Sequence, residues 1–545
     1  MTPTDPVAAL RGAVEAAARA LRDGEPTGPR PTLERPPKPE LGDYSSNAAM
    51  LLAGSLGNNP RAVAERLRGE LEGDSSLAPD LARTEVAGPG FVNFFLADSW
   101  YLRALGDLLA AGEEVGPSPT ESPEKVLVEF VSANPTGPIH VGTGRNAAYG
   151  DSLARLLQAA GHQVEREYYV NDAGSQIGRF ADSLAARMRG EEPPEDGYAG
   201  EYVGEIAARL RAEGVDPSHR ETLEQRGIEE VLKEVGSTLK RFGVHFDNWF
   251  SERSLYVKGE VDEALGELEK RGHTYRHEDA LWLRTTDFGD DKDRVLIRSN
   301  GEATYLTPDI AYHWDKLQRG FDRLIDVLGA DHHGYVARVR AAIEALGADP
   351  GRFEALTMSL VHIVEAGERV QMSKRTGDFV TLDELVDDIG VDAGRWFMLW
   401  RSHETTVDLD LELARSQSSE NPVYYVQYAH ARIRSILRKA GEEGGSAEPG
   451  VGGRAPLEES EKVLVKRLLE FPEEVRAAAA RRAPHRICAY STAVAADFHA
   501  FYRDCQVVGA EGEGVEGSRL ALCLATKRTI AAALGLLGIS APERM

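Results

Sequence analysis

Apolar and polar positions alternate in different ways along this chain, and the changes mark its parts. From Lys125 the run Val126-Leu127-Val128-Glu129-Phe130-Val131 is apolar almost throughout. That pattern predicts a strand buried on both faces of a parallel sheet. Residues 132–138 (Ser-Ala-Asn-Pro-Thr-Gly-Pro) form a loop, and a helix is predicted over residues 142–160, stopped by Gly161. A strand over residues 163–170 completes a βαβ unit. Further buried strands are predicted at residues 324–328 and 356–364, and Asn300-Gly301 between two apolar runs predicts a hairpin. Residues 190–250 are charged and read as a helical insertion.

On either side the pattern differs. Residues 1 to about 115 combine a helical start, a Pro-rich stretch from Pro26 to Pro39, Asn59-Pro60 as a helix opening, and the strand-like run 91–96. Residues 116–123 read as a linker. From about Ser416 the periodicity is helical. One stripe is Val426, Ala429, Ile433 and Leu437 after Asn421-Pro422, with Arg434, Arg438 and Lys439 lying off it. A second is Ile487, Tyr490, Val494, Phe498 and Phe501. The fold class expected is α/β: a Rossmann-type parallel-sheet catalytic domain at 122–415 with an insertion at about 190–250. An N-terminal α+β domain occupies 1–115, and an all-helical bundle 416–545.

The 545 residues, 42% hydrophobic and 28% charged, have ordinary globular composition and exclude wholesale disorder. No apolar run reaches the ~18–20 residues of a membrane helix, and the N-terminus lacks a secretory pattern. Cys488, Cys505 and Cys523 form no CxxC pair, so a Cys-based zinc site or disulfide framework is not expected. A cytoplasmic enzyme fits these limits. The net charge of -25 argues against a general nucleic-acid binder. However, residues 416–545 hold 17 Lys/Arg and 16 Asp/Glu, so the acidity lies upstream and basic clusters remain in the helical part.

Several places carry candidate chemistry. His140-Val141-Gly142-Thr143 stands where a Gly/Pro loop enters a helix, so backbone N–H groups and an imidazole can meet phosphate oxygens. Gln371-Met372-Ser373-Lys374-Arg375-Thr376-Gly377 follows the last predicted strand, and a lysine there can follow a pyrophosphate leaving group. Gly329-Ala330-Asp331-His332-His333-Gly334 follows another strand, at the sheet end where α/β proteins bind ligands. The adjacent histidines lack metal-ligand spacing, and no metal is assigned. Glu129 interrupts an apolar strand, which calls for a cation. Asp309, in Tyr305-Leu306-Thr307-Pro308-Asp309, could act as a helix cap or as a second carboxylate. Two carboxylates suit the planar fork of a guanidinium.

Strand, HxG, long insertion and a late MSK loop are the layout of class I aminoacyl-tRNA synthetases. Residues 128–184 (VEFVSANPTGPIHVGTGRNAAYGD…YYVNDAGSQIGRFADSL) resemble the arginyl-tRNA synthetases of bacterial type. So do ATYLTPDIAYHWDKL, VQMSKRTGDFVTLDELVDDIG, the segment at Asp392 to Leu399, and GDYSSNAAMLLA with GPGFVNFFL near the N-terminus. The helices from NPVYYVQYAHARI resemble the family's anticodon-binding bundle. The likeness spans essentially the whole chain.

The resemblance implies ATP-dependent ligation of L-arginine to tRNA(Arg) through an arginyl-adenylate. It implies arginine contacts from Glu129, Ser132, Asn134, Tyr305 and Asp309. It places His140, Gly142, Thr143, Asp331, Met372, Ser373 and Lys374 at ATP, with His140 and Lys374 catalytic. Tyr424, Tyr428, Arg432 and Arg438 are candidates for tRNA contact. ATP with Mg2+ is expected, without zinc, together with a monomer that has no membrane partner. The family's second signature histidine is Thr143 here, and the first lysine of its loop is Gln371. Alternatives at this point are a class I synthetase for another amino acid, a nucleotidylyltransferase, and a non-enzymatic RNA-binding paralogue.

Overall fold

The computed structural model describes residues 5–22, 31–112, 116–117, 119–330, 333–369, 380–442, 450–452 and 456–545. Five parallel strands make the central sheet, in the order Phe353–Met358, Arg323–Gly329, Lys125–Glu129, Gln163–Val170 and Asn248–Ser251. From the Lys125–Glu129 strand the chain builds outward in one direction, then returns to add the other two strands on the opposite side. The carboxyl end of Lys125–Glu129 is therefore a topological switch point, the place where open α/β sheets bind ligands. The helix Val141–Ala159 makes the first crossover. It lies close against the strand end, because Gly150 stands where a Cβ would fall 2.2 Å from the Phe130 ring. Gly161, at φ 98°, then turns the chain into the second strand.

The structure alters four expectations. The fifth strand, Asn248–Ser251, lies at the edge of the segment expected as an insertion; the insertion's two helices, Glu201–Ala212 and Arg220–Arg241, pack on Ser175–Arg189 and end before it. The single strand expected over 356–364 is two, Phe353–Met358 and Val361–Glu365, in different sheets. The break is held by Ser359, whose N–H donates to the His403 carbonyl at 2.8 Å and whose carbonyl accepts from buried Arg145 at 2.8 Å. The Asn300-Gly301 turn forms, but its second arm is only a bridge from Ile297 to Ala303 before the helix Leu306–Gln318. Asn421 precedes Pro422 as expected but does not cap with its side chain: its amide donates to the Ala414 and Ser416 carbonyls.

The N-terminal residues form an antiparallel four-stranded sheet ordered Leu33–Glu34, Tyr44–Ser46, Phe91–Leu96 and Leu81–Ala87. The helix Pro60–Gly73 packs on it, its first turn closed by the Asn59 side chain accepting from the Ala62 N–H at 2.8 Å. Helices Pro422–Glu442, Glu459–Leu469, Phe471–Ala480, His485–Asp504 and Val515–Leu536 build the C-terminal bundle. Lys462 and Lys466 of that bundle reach Asp98 and Asp43 of the N-terminal part at 2.7 and 2.6 Å. The bundle meets the helices that flank the central sheet through fully buried Arg395, on the helix Leu382–Leu399. Its guanidinium donates to the carbonyls of Leu537 and Phe242 and to the Asp151 carboxylate, the last at 2.6 Å. Among the described residues no helix is long and apolar enough to cross a membrane.

Candidate active site

The loop after the central strand starts with a strained turn. Val131 has φ 67° and Ser132 φ 39°, and the Ser132 N–H donates to the Phe130 carbonyl at 2.9 Å. A β-branched residue with positive φ is a genuine outlier, kept only where its surroundings over-determine it. Here the Val131 N–H is held by Asn146 Oδ1 at 2.6 Å, while the same amide donates to the Val327 carbonyl. The Tyr168 and Tyr202 hydroxyls donate to the carbonyls of Ala133 and Thr136. The turn brings the Ser132 hydroxyl to Glu129 Oε1 at 2.9 Å, where it also accepts from the Tyr169 N–H. Asn134, on the same loop, is exposed.

Glu129 does not stand alone. In the sheet register it lies beside Asp326 on one neighbouring strand and Glu167 on the other. Three carboxylates in one row would repel strongly. One helix neutralises them. Lys316 Nζ donates to Glu129 Oε2 at 2.6 Å and to Asp326 Oδ1 at 2.9 Å, and Arg319 donates to both Glu167 oxygens at 2.6 and 2.8 Å. Burial would raise the Asp326 carboxyl, but Lys316 and His313 overcome it and hold Asp326 at about 2. For Glu129 burial wins over Lys316, and its carboxyl sits above its usual value.

Asp309 lies inside the first turn of the same helix rather than at its cap, which is Tyr305. Burial, then the carboxylates of Glu252, Glu129 and Asp326, push Asp309 up to about 8. Glu252, directly after the edge strand, is pushed up to about 7, chiefly by burial. Neither forms an ion pair among the described residues, and Glu252 has a hydrogen bond with the Tyr169 side chain. Tyr305, one turn before Asp309, is 75% exposed.

His140 caps the helix Val141–Ala159. Its Nδ1 accepts from the Thr143 N–H at 3.3 Å, and Nε2 lies 3.0 Å from the Thr143 hydroxyl. Gly142 leaves room for this fold-back, since a Cβ there would meet His140 Cε1 at 3.1 Å and Nδ1 at 3.2 Å. His140 forms an antiparallel bridge with Thr381, flanked by Val141 N–H to the Val380 carbonyl and Leu382 N–H to the Ile139 carbonyl. Asp331, Gln371, Met372, Ser373 and Lys374 lie outside the described residues.

On the bundle, Tyr424 and Tyr428 stack with ring centroids 6.2 Å apart, and Arg432 donates to the Tyr428 hydroxyl at 3.2 Å. The Arg432 guanidinium lies 4.7 Å from the Tyr502 ring centroid, and His499 sits beside Tyr425 and Tyr428. Arg438 is exposed further along the helix.

Reading the sequence missed Glu252, Lys316, Asp326, His313, Glu167 and Arg319. A signal existed for two of them. Asp309, His313 and Lys316 are spaced 4 and 3 apart, a polar stripe on a helix that is otherwise largely apolar.

The fold and this site define the catalytic unit of a class I aminoacyl-tRNA synthetase. The family model "tRNA synthetases class I (R), catalytic domain" matches residues 105–195 and 210–404. "Arginyl tRNA synthetase N terminal domain" matches 8–96, and "DALR anticodon binding domain" matches 426–545. The arginine–tRNA ligase of Shouchella clausii is 47% identical, covering 95% of each chain, and that of Oceanobacillus iheyensis 44%, covering 94% of each. The arginyl-tRNA synthetase structure of Thermus thermophilus superposes with a TM-score of 0.76 at 26% identity, over 99% of this chain and all of that one. The chain belongs to the arginyl-tRNA synthetase family.

Proposed function

We infer that this chain joins L-arginine to tRNA(Arg) using ATP, as arginine–tRNA ligases do. The observation that carries the substrate is the pair Asp309 and Glu252, two carboxyls with raised affinity for protons and no cation of their own. A guanidinium supplies the missing charge with directed donors, and neutral isosteres would leave the acceptors unpaired.

Asp309, with Tyr305 above it and Glu252 opposite, takes the guanidinium. Glu129, expected from the sequence as the second guanidinium carboxylate, already carries Lys316 and faces the α-ammonium instead, with Ser132 and Asn134 lining the same end. His140, Gly142 and Thr143 receive ATP phosphates at the helix start. Asp331, Met372, Ser373 and Lys374 complete the ATP side by their place in the sequence. The arginine carboxylate attacks the α-phosphorus, giving arginyl-adenylate and pyrophosphate. The terminal ribose 2′-hydroxyl of tRNA then attacks the activated carbonyl, releasing AMP. The first step needs alignment and stabilisation of charge building on phosphate oxygens, which the helix start and the loop lysine supply.

Among the described residues no three His, Cys, Asp or Glu gather as metal ligands. Mg2+ would arrive with ATP, held largely by its phosphates and water. Tyr424, Tyr428, Arg432 and Arg438 form the surface on which unpaired anticodon bases stack. The domains are 1–115, 122–415 and 416–545, and the working form is a cytoplasmic monomer.

The test is substitution at the guanidinium pair. Asp309→Asn and Glu252→Gln each raise KM for arginine about tenfold or more, with KM for ATP unchanged. Unchanged arginine KM in both would remove this assignment of the pocket.

A further inference from the structure

We propose that Lys316 is a positioning residue for the arginine site: a built-in cation that holds Glu129 ionised and aimed, and ties it to the backbone that presents Asp309. This rests on the reading that Glu129 and Asp309 face arginine.

The geometry is a continuous buried chain. Lys316 is 0% exposed, and Glu129 and Asp326 are nearly as buried. Its ammonium meets Glu129 Oε2 at 2.6 Å, Asp326 Oδ1 at 2.9 Å, and the Tyr312 ring face at 4.1 Å from the centroid. These partners account for all three of its donor directions. Asp326 continues the chain: its Oδ2 lies 3.0 Å from His313 Nε2, and His313 Nδ1 lies 2.7 Å from the Asp309 carbonyl. A carbonyl only accepts, so Nδ1 carries a proton toward Asp309. Glu129 and Asp309, 180 residues apart in sequence, thus share one network that enters from one helix face.

Releasing Glu129 to a substrate guanidinium would take one of Lys316's two carboxylate partners away and leave its buried ammonium on Asp326 alone. Glu129 instead keeps Oε2 on Lys316 and turns Oε1 to the Ser132 hydroxyl at the mouth of the strained turn. The orientation of its remaining lone pairs is set before arginine arrives, which lowers the cost of binding. The groups facing Glu129 are Lys316, His313, Tyr312 and Asp309 from the helix, Asp326, Glu167 and Tyr169 from the flanking strands, and Tyr335 from the next helix. Lys316 is the cation among them that contacts Glu129 directly.

The experiment uses the full chain. Kinetics of arginylation are measured for Lys316→Met and for K316M/D326N, which removes one positive and one negative charge and restores the buried balance. Both variants raise KM for arginine about ten- to a hundredfold while KM for ATP and for tRNA stay within about twofold. In both, the ratio of variant to native arginine KM falls as pH rises from about 6 to about 9, because Glu129 must now ionise without its cation. Where Lys316→Met alone is too unstable to assay, the double variant gives the same reading. A double variant with native arginine KM would overturn the proposal and leave Lys316 a structural counter-ion. So would equal loss in all three KM values. Glu129→Gln in the native background separates the two readings: unchanged arginine KM there refutes the site assignment, whatever Lys316 does.

Discussion

The backbone of His140 pairs with that of Thr381 in an antiparallel bridge. In sequence, Val380 and Thr381 follow directly on residues 370–379, which carry the second signature and lie outside the described residues. Three further contacts reinforce the junction: Val141 to Val380, Leu382 to Ile139, and the capping box in which Thr381 and Glu384 satisfy each other at the next helix start. The start of the helix Val141–Ala159 and the start of the helix Leu382–Leu399 are thus joined by main chain.

Gly142 is the position where that junction is most sensitive. A Cβ at Gly142 would press on His140 at 3.1–3.2 Å. Gly142→Ala should cut arginine-dependent ATP–pyrophosphate exchange at least about tenfold, toward the roughly hundred- to thousandfold of losing one aligned donor outright. The melting temperature should change little, since Gly142 sits at a helix N-terminus and only partly buried. Activity within about twofold of native would contradict the placement of the imidazole over this turn.

The pH dependence of the empty pocket has a definite sign. Asp309 at about 8 and Glu252 at about 7 hold protons to higher pH in the folded chain than in the unfolded one, where carboxyls titrate near about 4. Stability from these groups is complete below about pH 4 and is lost as pH rises toward about 8. Arginine binds the ionised forms, so its affinity rises over the pH 7–8 range and flattens above. Thermal melts with and without arginine should separate progressively from about pH 6 to about pH 8.5, and Asp309→Asn should raise the melting temperature of the arginine-free chain at the upper end. A gap independent of pH would contradict the raised values.

Arg395 tests the join between the bundle and the helices that flank the sheet. It is fully buried, and its guanidinium serves Asp151, Phe242 and Leu537 from three separate elements. Arg395→Met should cost about 3–5 kcal/mol in chemical denaturation, the scale for breaking a buried pair from one side. A loss under about 1 kcal/mol would show that Arg155, which also reaches Asp151, is sufficient there.

Tyr428 and Arg432 test the RNA surface. Base stacking on an aromatic ring contributes about 1–3 kcal/mol per base. Tyr428→Ala and Arg432→Ala should each raise KM for tRNA about five- to a hundredfold and leave KM for arginine and ATP unchanged. The two residues touch, so the double variant should lose less than the sum. Native tRNA kinetics in both would move the anticodon surface elsewhere on the bundle.

Much of the scaffold was legible because local pattern sufficed. The strands at 91–96 and 163–170 and the helix after His140 carry strong periodicity or clear stop residues. The edge strand Asn248–Ser251 is short and follows two charged helices, so nothing local separates it from them. The division at Ser359 depends on Arg145, more than two hundred residues away. The site divides in the same way. Glu129 announces itself as a charge in an apolar strand, and Asp309 as a carboxylate where a helix starts. Asp326 and Glu167 become partners of Glu129 only through strand register, and Glu252 joins Asp309 only because the edge strand delivers it. Long-range pairing, which one sequence does not display, decided what was missed.

The central claim is the reaction. The direct measurement is charging of total and purified cognate tRNA with labelled arginine, with ATP–pyrophosphate exchange run with and without tRNA alongside. The account predicts arginyl ester on the tRNA, and exchange that depends on arginine and is abolished by Asp309→Asn. No arginyl ester from folded protein with intact cognate tRNA, or charging by another amino acid in its place, would contradict it.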